Sequence, residues 1–364
     1  MENSPLYLHS FNLVPNFGAA RIFRLCEYFP NFQKAYEATR QELKMSGIEP
    51  EMTDNFLALR ANLNLENENA KLKNLGISLL TYKDLFYPKL LLEISKFPTL
   101  LYYRGTLPTA DELCVATVGT RKITTYGKLA APQIVENLAL QGVSIVSGLA
   151  YGVDALCHQS ALAVGKRTVA ILAGGLDDKI LYPQNHCLLT KQILDLGGML
   201  ISEYPPGTAA LKHHFVARNR IISGMSIATV VIECSLDSGS LITAKYALEQ
   251  NRNVYAVPGP IYAEQSKGPN NLIKMGARLI TSAQDILEDL NLENLPKEQE
   301  AQSLFGNSPE ENQILKVLKF EPQTINEIIK QSEMDAASAT SALTFLEMKG
   351  KVRNLGGQQY TLSR

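Results

Sequence analysis

The chain has almost no net charge. Its 35 Lys and Arg residues balance 36 Asp and Glu residues, leaving a formal charge of -1 at pH 7. The pI near 6.6 argues against a coat protein that grips duplex DNA by bulk charge. No uninterrupted apolar run reaches membrane-spanning length, and Met1-Glu2-Asn3-Ser4-Pro5 offers no basic leader. Cys26, Cys114, Cys157, Cys187 and Cys234 never form a Cys-x-x-Cys pair, which argues against a zinc site or a disulfide framework and predicts buried thiols in a reducing cytoplasm. Gly-x-Gly-x-x-Gly is missing: the nearest segment reads Ser147-Gly148-Leu149-Ala150-Tyr151-Gly152. Gly-x-x-x-x-Gly-Lys-[Ser/Thr] is missing too, so a dinucleotide enzyme and a Walker-type ATPase are set aside. There is no internal repeat or low-complexity tract.

Against that neutral background one stretch stands out. From Tyr204 to Ile232 there is no carboxylate, yet Lys212, His213, His214, Arg218 and Arg220 fall within nine residues, with Phe215 among them. A local cationic cluster on a neutral chain points to a local anionic ligand. Cations interleaved with an aromatic ring suit phosphates and stacked bases, as in single-stranded nucleic-acid grooves. The plainer alternative is a solvated turn leading into a helix. The two histidines are read as titrating contributors to anion binding rather than as metal ligands.

The organisation predicts an α/β protein in three parts. Residues 1–75 read as short helices, with a helix-hairpin-helix or SAM-like turn at Val14-Pro15-Asn16-Phe17-Gly18; Asn16-Phe17-Gly18 replaces Gly-x-Gly there, which favours a plain helical scaffold over a phosphate-binding nest. Residues 76–287 read as a Rossmann-like core. Apolar runs at 113–118, 143–146, 168–172, 199–201, 228–232 and 253–257 alternate with helix-length segments, as in a parallel sheet covered on both faces. Residues 76–112 form a preface packed on that core. A polar, acidic linker is expected over 288–307. Over 308–364, capping boxes at Ser308–Glu311 and Thr324–Glu327, a helix from Ala336 to Met348 and a hairpin turn at Gly356-Gly357 predict a winged helix.

Ligands of an open parallel sheet bind beyond the carboxyl ends of its strands. Here those ends carry Gly119-Thr120-Arg121, Ser147-Gly148-Leu149-Ala150, Gly174-Gly175, Glu203 with the basic segment, and Ser238-Gly239-Ser240. Small residues let backbone amides approach an anion, and each loop leads toward a helix amino end. Any one of them alone reads as an ordinary tight turn, but their convergence with Arg121 and the basic cluster favours an anion site. Asp154 and His158 stand four apart, so their side chains can meet on one helix face, read as an orienting hydrogen bond beneath the loop. No cofactor and no metal is expected.

Several segments together resemble the DNA-processing protein A (DprA, or Smf) family. They are Val118-Gly119-Thr120-Arg121, Ser147–Ala155 with His158, Gly174-Gly175-Leu176-Asp177 with Tyr182-Pro183, Ser202–Gly207 with Phe215 and Arg218-Asn219-Arg220-Ile221-Ile222, and Ser238-Gly239-Ser240-Leu241 with Val257-Pro258-Gly259. The resemblance spans about 80–285 and implies an extended Rossmann-like core that binds single-stranded DNA, forms a homodimer and loads the RecA recombinase during natural transformation. It also implies DNA contacts from Arg121, Lys212 and Phe215, a pocket framed by Arg218 and Arg220, and phosphate binding by the amides around Ser147-Gly148 and Gly239-Ser240. On this reading the protein is not an enzyme. The competing expectation is a nucleotide glycosidic-bond hydrolase with a catalytic carboxylate at Glu203 or Glu233, assisted by Asp177 or Asp237. Leu236-Asp237-Ser238-Gly239-Ser240 stands where that group carries a Pro-Gly-Gly-x-Gly-Thr type of loop.

Overall fold

The structure is a computed structural model and describes residues 3–107, 112–292, 309–318, 323–332, 334–348, 352–357 and 359–362. The chain divides into two compact units that part between Glu293 and Asn294. Most of the expected linker, from 293 onward, and the expected capping serine Ser308 lie outside the described residues.

The first unit opens with six helices: α1 (Pro5–Asn12), α2 (Gly18–Tyr28), α3 (Phe32–Glu37), α4 (Arg40–Met45), α5 (Pro50–Asn62) and α6 (Leu65–Asn74). Their aromatic residues pack together. Phe11 stacks on Phe56 with ring centroids 3.9 Å apart, and Phe17 tilts against Phe11 at 5.3 Å. The turn between α1 and α2 uses positive φ at Asn16 and Gly18. Its Phe17 amide donates to Val14 O, and Arg21 donates to the carbonyls of Asn16 and Phe17. The turn therefore satisfies itself, in keeping with the scaffold reading.

A nine-stranded sheet follows, made of β1 (Ser78–Thr81), β2 (Leu100–Gly105), β3 (Cys114–Val118), β4 (Ser144–Ser147), β5 (Thr168–Leu172), β6 (Met199–Ser202), β7 (Ala228–Val231), β8 (Asn253–Ala256) and β9 (Arg278–Leu279). The spatial order is β1-β2-β6-β5-β4-β3-β7-β8-β9, parallel from β6 to β9, with β2 antiparallel to both its neighbours. The six apolar runs each became a strand. Residues 76–112 do more than pack on the sheet, because β1 and β2 extend it beyond β6. The central strands β3 to β7 are buried along their whole length. Alternate residues feed separate cores: Leu100, Tyr102, Leu172 and Leu200 join the N-terminal helices, while Leu101, Ile171 and Ile201 join the opposite face. The Tyr102 hydroxyl accepts from Asn12 and meets His9 Nδ1 at 2.9 Å, tying α1 to β2.

Around the sheet lie α7 (Lys89–Leu92), α8 (Thr125–Leu140), α9 (Val153–Ala163), α10 (Cys187–Asp195), α11 (Lys212–Gly224), α12 (Gly239–Glu249), α13 (Lys267–Lys274) and α14 (Ala283–Asp289). The chain moves outward from β3 to β6 on one side, then crosses back to lay β7 beside β3. That reversal is the topological switch point, where an open α/β sheet leaves a crevice.

The second unit is a winged helix. Helices Pro309–Val317, Ile325–Ser332 and Ala336–Met348 enclose Ile314, Leu315, Ile328, Leu343 and Leu346. Strands Val352–Gly356 and Gln359–Leu362 form the hairpin, with Gln323–Thr324 on its free side. The capping box at Thr324 is made: its amide donates to Glu327 at 2.8 Å, and the Glu327 amide returns to its hydroxyl.

Candidate nucleic-acid interface

The crevice at the switch point is a cavity of about 290 Å³. Its walls come from four loops: Gly119 and Arg121 after β3, Ala150 and Asp154 after β4, Phe215 and Arg218 on α11, and Ser238 to Ser240 after β7. Close backbone approach explains the glycine at 119. A Cβ there would lie 2.6 Å from the Val153 side chain and 2.8 Å from Glu233 O. The Thr120 amide donates to that same carbonyl, so the ends of β3 and β7 are joined at the floor.

Arg218 is the buried cation of the site, 4% exposed. Its Nη1 donates to Gly148 O at 2.7 Å and to Ile171 O, and its Nε donates to Asn219 Oδ1 at 3.2 Å. Burial lowers its pKa to about 10, against the opposing pull of Asp154, so it remains cationic at neutral pH. Arg121 is exposed, and its Cζ lies 5.1 Å from the Phe215 ring centroid, with Arg218 Cζ at 5.9 Å. Tyr182 meets Phe215 edge-on at 5.5 Å. One half-buried ring is thus flanked by two guanidiniums and braced by a tyrosine.

The opposite wall is the amino end of α12. Ser238 caps it, its hydroxyl accepting from the Ser240 amide at 3.3 Å and sitting 2.7 Å from the Ser240 hydroxyl. The macrodipole and the remaining amides make this end favourable to an anion. In the loop after β4, just before the lining residue Ala150, buried Leu149 holds a positive φ of 57°, and its carbonyl accepts from His186 Nδ1 at 2.9 Å. A branched apolar residue in that conformation is strained, a feature that clusters at functional loops.

The cavity lining brings together Arg121, Phe215, Arg218, Gly239 and Ser240, and leaves Ser147, Gly148, Lys212 and Arg220 off it. Ser147 is fully buried and donates its hydroxyl to Thr117 O at 2.6 Å. Gly148 serves as the seat of Arg218: a Cβ there would lie 2.6 Å from both terminal guanidinium nitrogens. Lys212 is exposed at the first position of α11. Arg220 turns to Glu203, its Nη2 donating to both carboxylate oxygens at 2.6 and 2.7 Å. His214 lies off the cavity lining and stacks on Tyr204 with centroids 4.1 Å apart, and burial lowers its pKa.

The expected Asp154–His158 bond is replaced by separate partners. His158 is fully buried and meets the Thr168 hydroxyl at 2.8 Å through Nδ1. That hydroxyl already donates to Ile145 O, so Nδ1 carries the imidazole proton. Asp154 instead accepts from the Ala150 amide at 3.4 Å and faces the cavity. Ser238 and Asn219 also line the cavity, where the sequence had given Ser238 only a place in a converging loop and Asn219 only a place in the family motif. The serine was legible as an N-cap before Gly239, whereas the asparagine between two arginines carried no separate signal.

Three of the four carboxylates considered for catalysis are engaged elsewhere, and the fourth, Asp237, is exposed after β7. Glu203 is held by Arg220. Glu233 is 2% exposed and accepts from the Thr124 amide and hydroxyl at the start of α8. Asp177 accepts from the Gly207 amide at 2.8 Å. Among the described residues no group of three or more His, Cys, Asp or Glu side chains is placed to hold a metal ion, and no helix is long and apolar enough to cross a membrane.

The family model for DNA recombination-mediator protein A matches residues 78–291, and the model for the DprA winged helix domain matches 296–358. The chain belongs to the DNA processing protein A family. It is 39% identical over 248 residues to protein Smf of Escherichia coli, an alignment that spans 68% of this chain and 66% of that protein. The structure of DNA processing protein A from Streptococcus pneumoniae superposes with a TM-score of 0.68 at 32% identity, covering 79% of this chain and 99% of that one. DNA processing protein A from Helicobacter pylori, described for its single-stranded DNA binding mode, superposes with a TM-score of 0.52 at 30% identity, covering 59% and 95%.

Proposed function

We propose that this protein is a non-catalytic recombination mediator that binds single-stranded DNA in the switch-point crevice. The observation that carries the reading is that the Phe215 ring lies beside both the Arg121 and the Arg218 guanidinium, on a cavity that the amino end of α12 also lines. The cations and amides suit backbone phosphate and the ring suits an unpaired base, at roughly 1–3 kcal/mol per stacked base. Gly239 and Ser240 shape the phosphate wall, Gly148 seats Arg218, Arg220 braces α11 against Glu203, and exposed Lys212 at the start of α11 adds a phosphate contact. The engagement of Glu203 and Glu233 in structural bonds favours this reading over the glycosidic-bond hydrolase.

Family membership supports the wider role: protection of incoming strands and loading of RecA recombinase during natural transformation, in the cytoplasm, by a homodimer joined through the Rossmann-like core. The deciding experiment compares binding of a labelled oligothymidine and a hairpin duplex of matched length, alongside base release from a nucleoside monophosphate. Preference for the single strand with no base release is expected. Equal affinity for both, or catalytic release of base, refutes the proposal.

A further inference from the structure

The cavity holds an element that a general anion site does not need. Three charged side chains line it: Arg121, Arg218 and Asp154. Asp154 is 7% exposed and Arg218 is 4% exposed, so bulk water screens neither well. As an acid in the first turn of α9, Asp154 complements that helix's dipole, and it also balances Arg218. Neither service requires its carboxylate to face the space a phosphate would occupy, yet it does.

Charge matching gives that placement a purpose. Two guanidiniums and one carboxylate sum to a single positive charge. An internal phosphodiester carries one negative charge and neutralises the site. A phosphomonoester above its second pKa, near pH 6, carries about two and leaves an uncompensated negative charge in a poorly hydrated crevice. The α12 amino end attracts both kinds of phosphate and does not alter the contrast.

We propose that Asp154 is a specificity-determining residue that admits singly charged phosphodiesters to this crevice and disfavours doubly charged phosphomonoesters, such as nucleoside monophosphates and phosphorylated strand ends. This rests on the reading of the crevice as a phosphate-and-base site and extends it: the same residue that tempers the two arginines disfavours free nucleoside monophosphates. Burial pushes the Asp154 pKa up, while Arg218, the amides of Ala150 and Gly148, and Arg121 hold it down. The contrast is therefore read at mildly alkaline pH, where the carboxylate is more ionised than at neutral pH and the monoester has its second charge.

The test uses the full chain and two small probes with the same base and sugar, thymidine 5′-monophosphate and its methyl ester. Calorimetry at about pH 8 measures each against the wild-type protein and Asp154→Asn, well above the second phosphate pKa. The ester is expected to bind wild type about tenfold more tightly, the size of a like-charge penalty across a partly screened crevice. Asp154→Asn, which keeps an acceptor for the Ala150 amide, is expected to bring the two affinities level or to reverse them. Wild-type protein that binds the monophosphate as tightly as the ester overturns the inference without reference to any variant. A folded Asp154→Asn protein that keeps the wild-type ratio also overturns it. Labelled oligothymidine binding, measured in parallel by fluorescence anisotropy, separates the two levels: its absence alongside a preserved ester preference refutes the DNA reading and not the charge selection. Failure of both nucleotides and the oligothymidine to bind removes both.

Discussion

Replacing Gly148 with alanine tests whether Arg218 is built into the fold or merely sits near a ligand. The backbone permits the change, since Gly148 has no positive φ. The new Cβ, however, would lie 2.6 Å from two guanidinium nitrogens and 2.7 Å from Cζ. A flexible arginine end would swing aside at little cost, but this one is anchored to Gly148 O and Ile171 O. Relief requires surrendering at least one such bond, and hydrogen bonds to charged groups contribute about 1.5–3 kcal/mol each. Displacement also leaves buried Asp154 without its nearest cation. A loss of about 2–4 kcal/mol follows, which for a unit of this size lowers Tm by roughly 3–7 °C. Oligothymidine affinity should fall with it, although no atom of the added methyl group reaches the cavity. Calorimetric unfolding and anisotropy on the same preparation check both parts. A Gly148→Ala protein with wild-type Tm and affinity refutes the claim that the glycine exists to seat Arg218.

Phe215→Ala should weaken oligonucleotide binding by roughly 1–3 kcal/mol per stacked base while leaving the salt dependence nearly unchanged. Lys212→Ala should instead flatten the salt dependence and weaken binding for all sequences alike, because an exposed lysine contributes through counterion release; a salt titration of both variants distinguishes them. Truncation after Ser303 should change oligonucleotide affinity by less than about tenfold, since helix Ala336–Met348 offers no Arg, Lys, Asn or Gln to a groove; a larger loss assigns DNA binding to the winged helix. Stability should decline on acidification. Burial depresses His158 to about 3 and His9 to about 4, so the unfolded chain binds their protons first, and the decline runs from about pH 6.5 down to those values. Denaturant midpoints measured from pH 7 to pH 4 check this, and His158→Gln should soften the slope.

Strand runs such as Thr168–Leu172 were legible because a parallel strand buried on both faces is apolar throughout. The antiparallel pair β1 and β2 escaped notice for a related reason. Leu100-Leu101-Tyr102-Tyr103 does not alternate with polar residues, since both of its faces are also covered. The basic segment includes Phe215 and Arg218, which line the cavity, but sequence proximity could not sort its members. One helical turn sends Arg218 beneath Phe215, while Arg220, two residues on, leaves for Glu203. Carboxylates were harder still: Asp154 read as half of an i,i+4 pair, and only the fold of the Leu149 loop directs it into the crevice.

The crevice walls are assembled from segments more than a hundred residues apart, with β7 returning to lie beside β3 only after β4, β5 and β6 have been made. Synthesis from the amino end therefore delivers the Arg121, Phe215 and Arg218 side chains before the Ser238–Ser240 wall exists. A nascent chain stopped after α11 has its cations but no concave surface to hold them around a strand. On the proposed function, the capacity to capture a strand thus arrives late and all at once, strand binding reports completion of the central sheet, and a truncated product carries the charge without the grip.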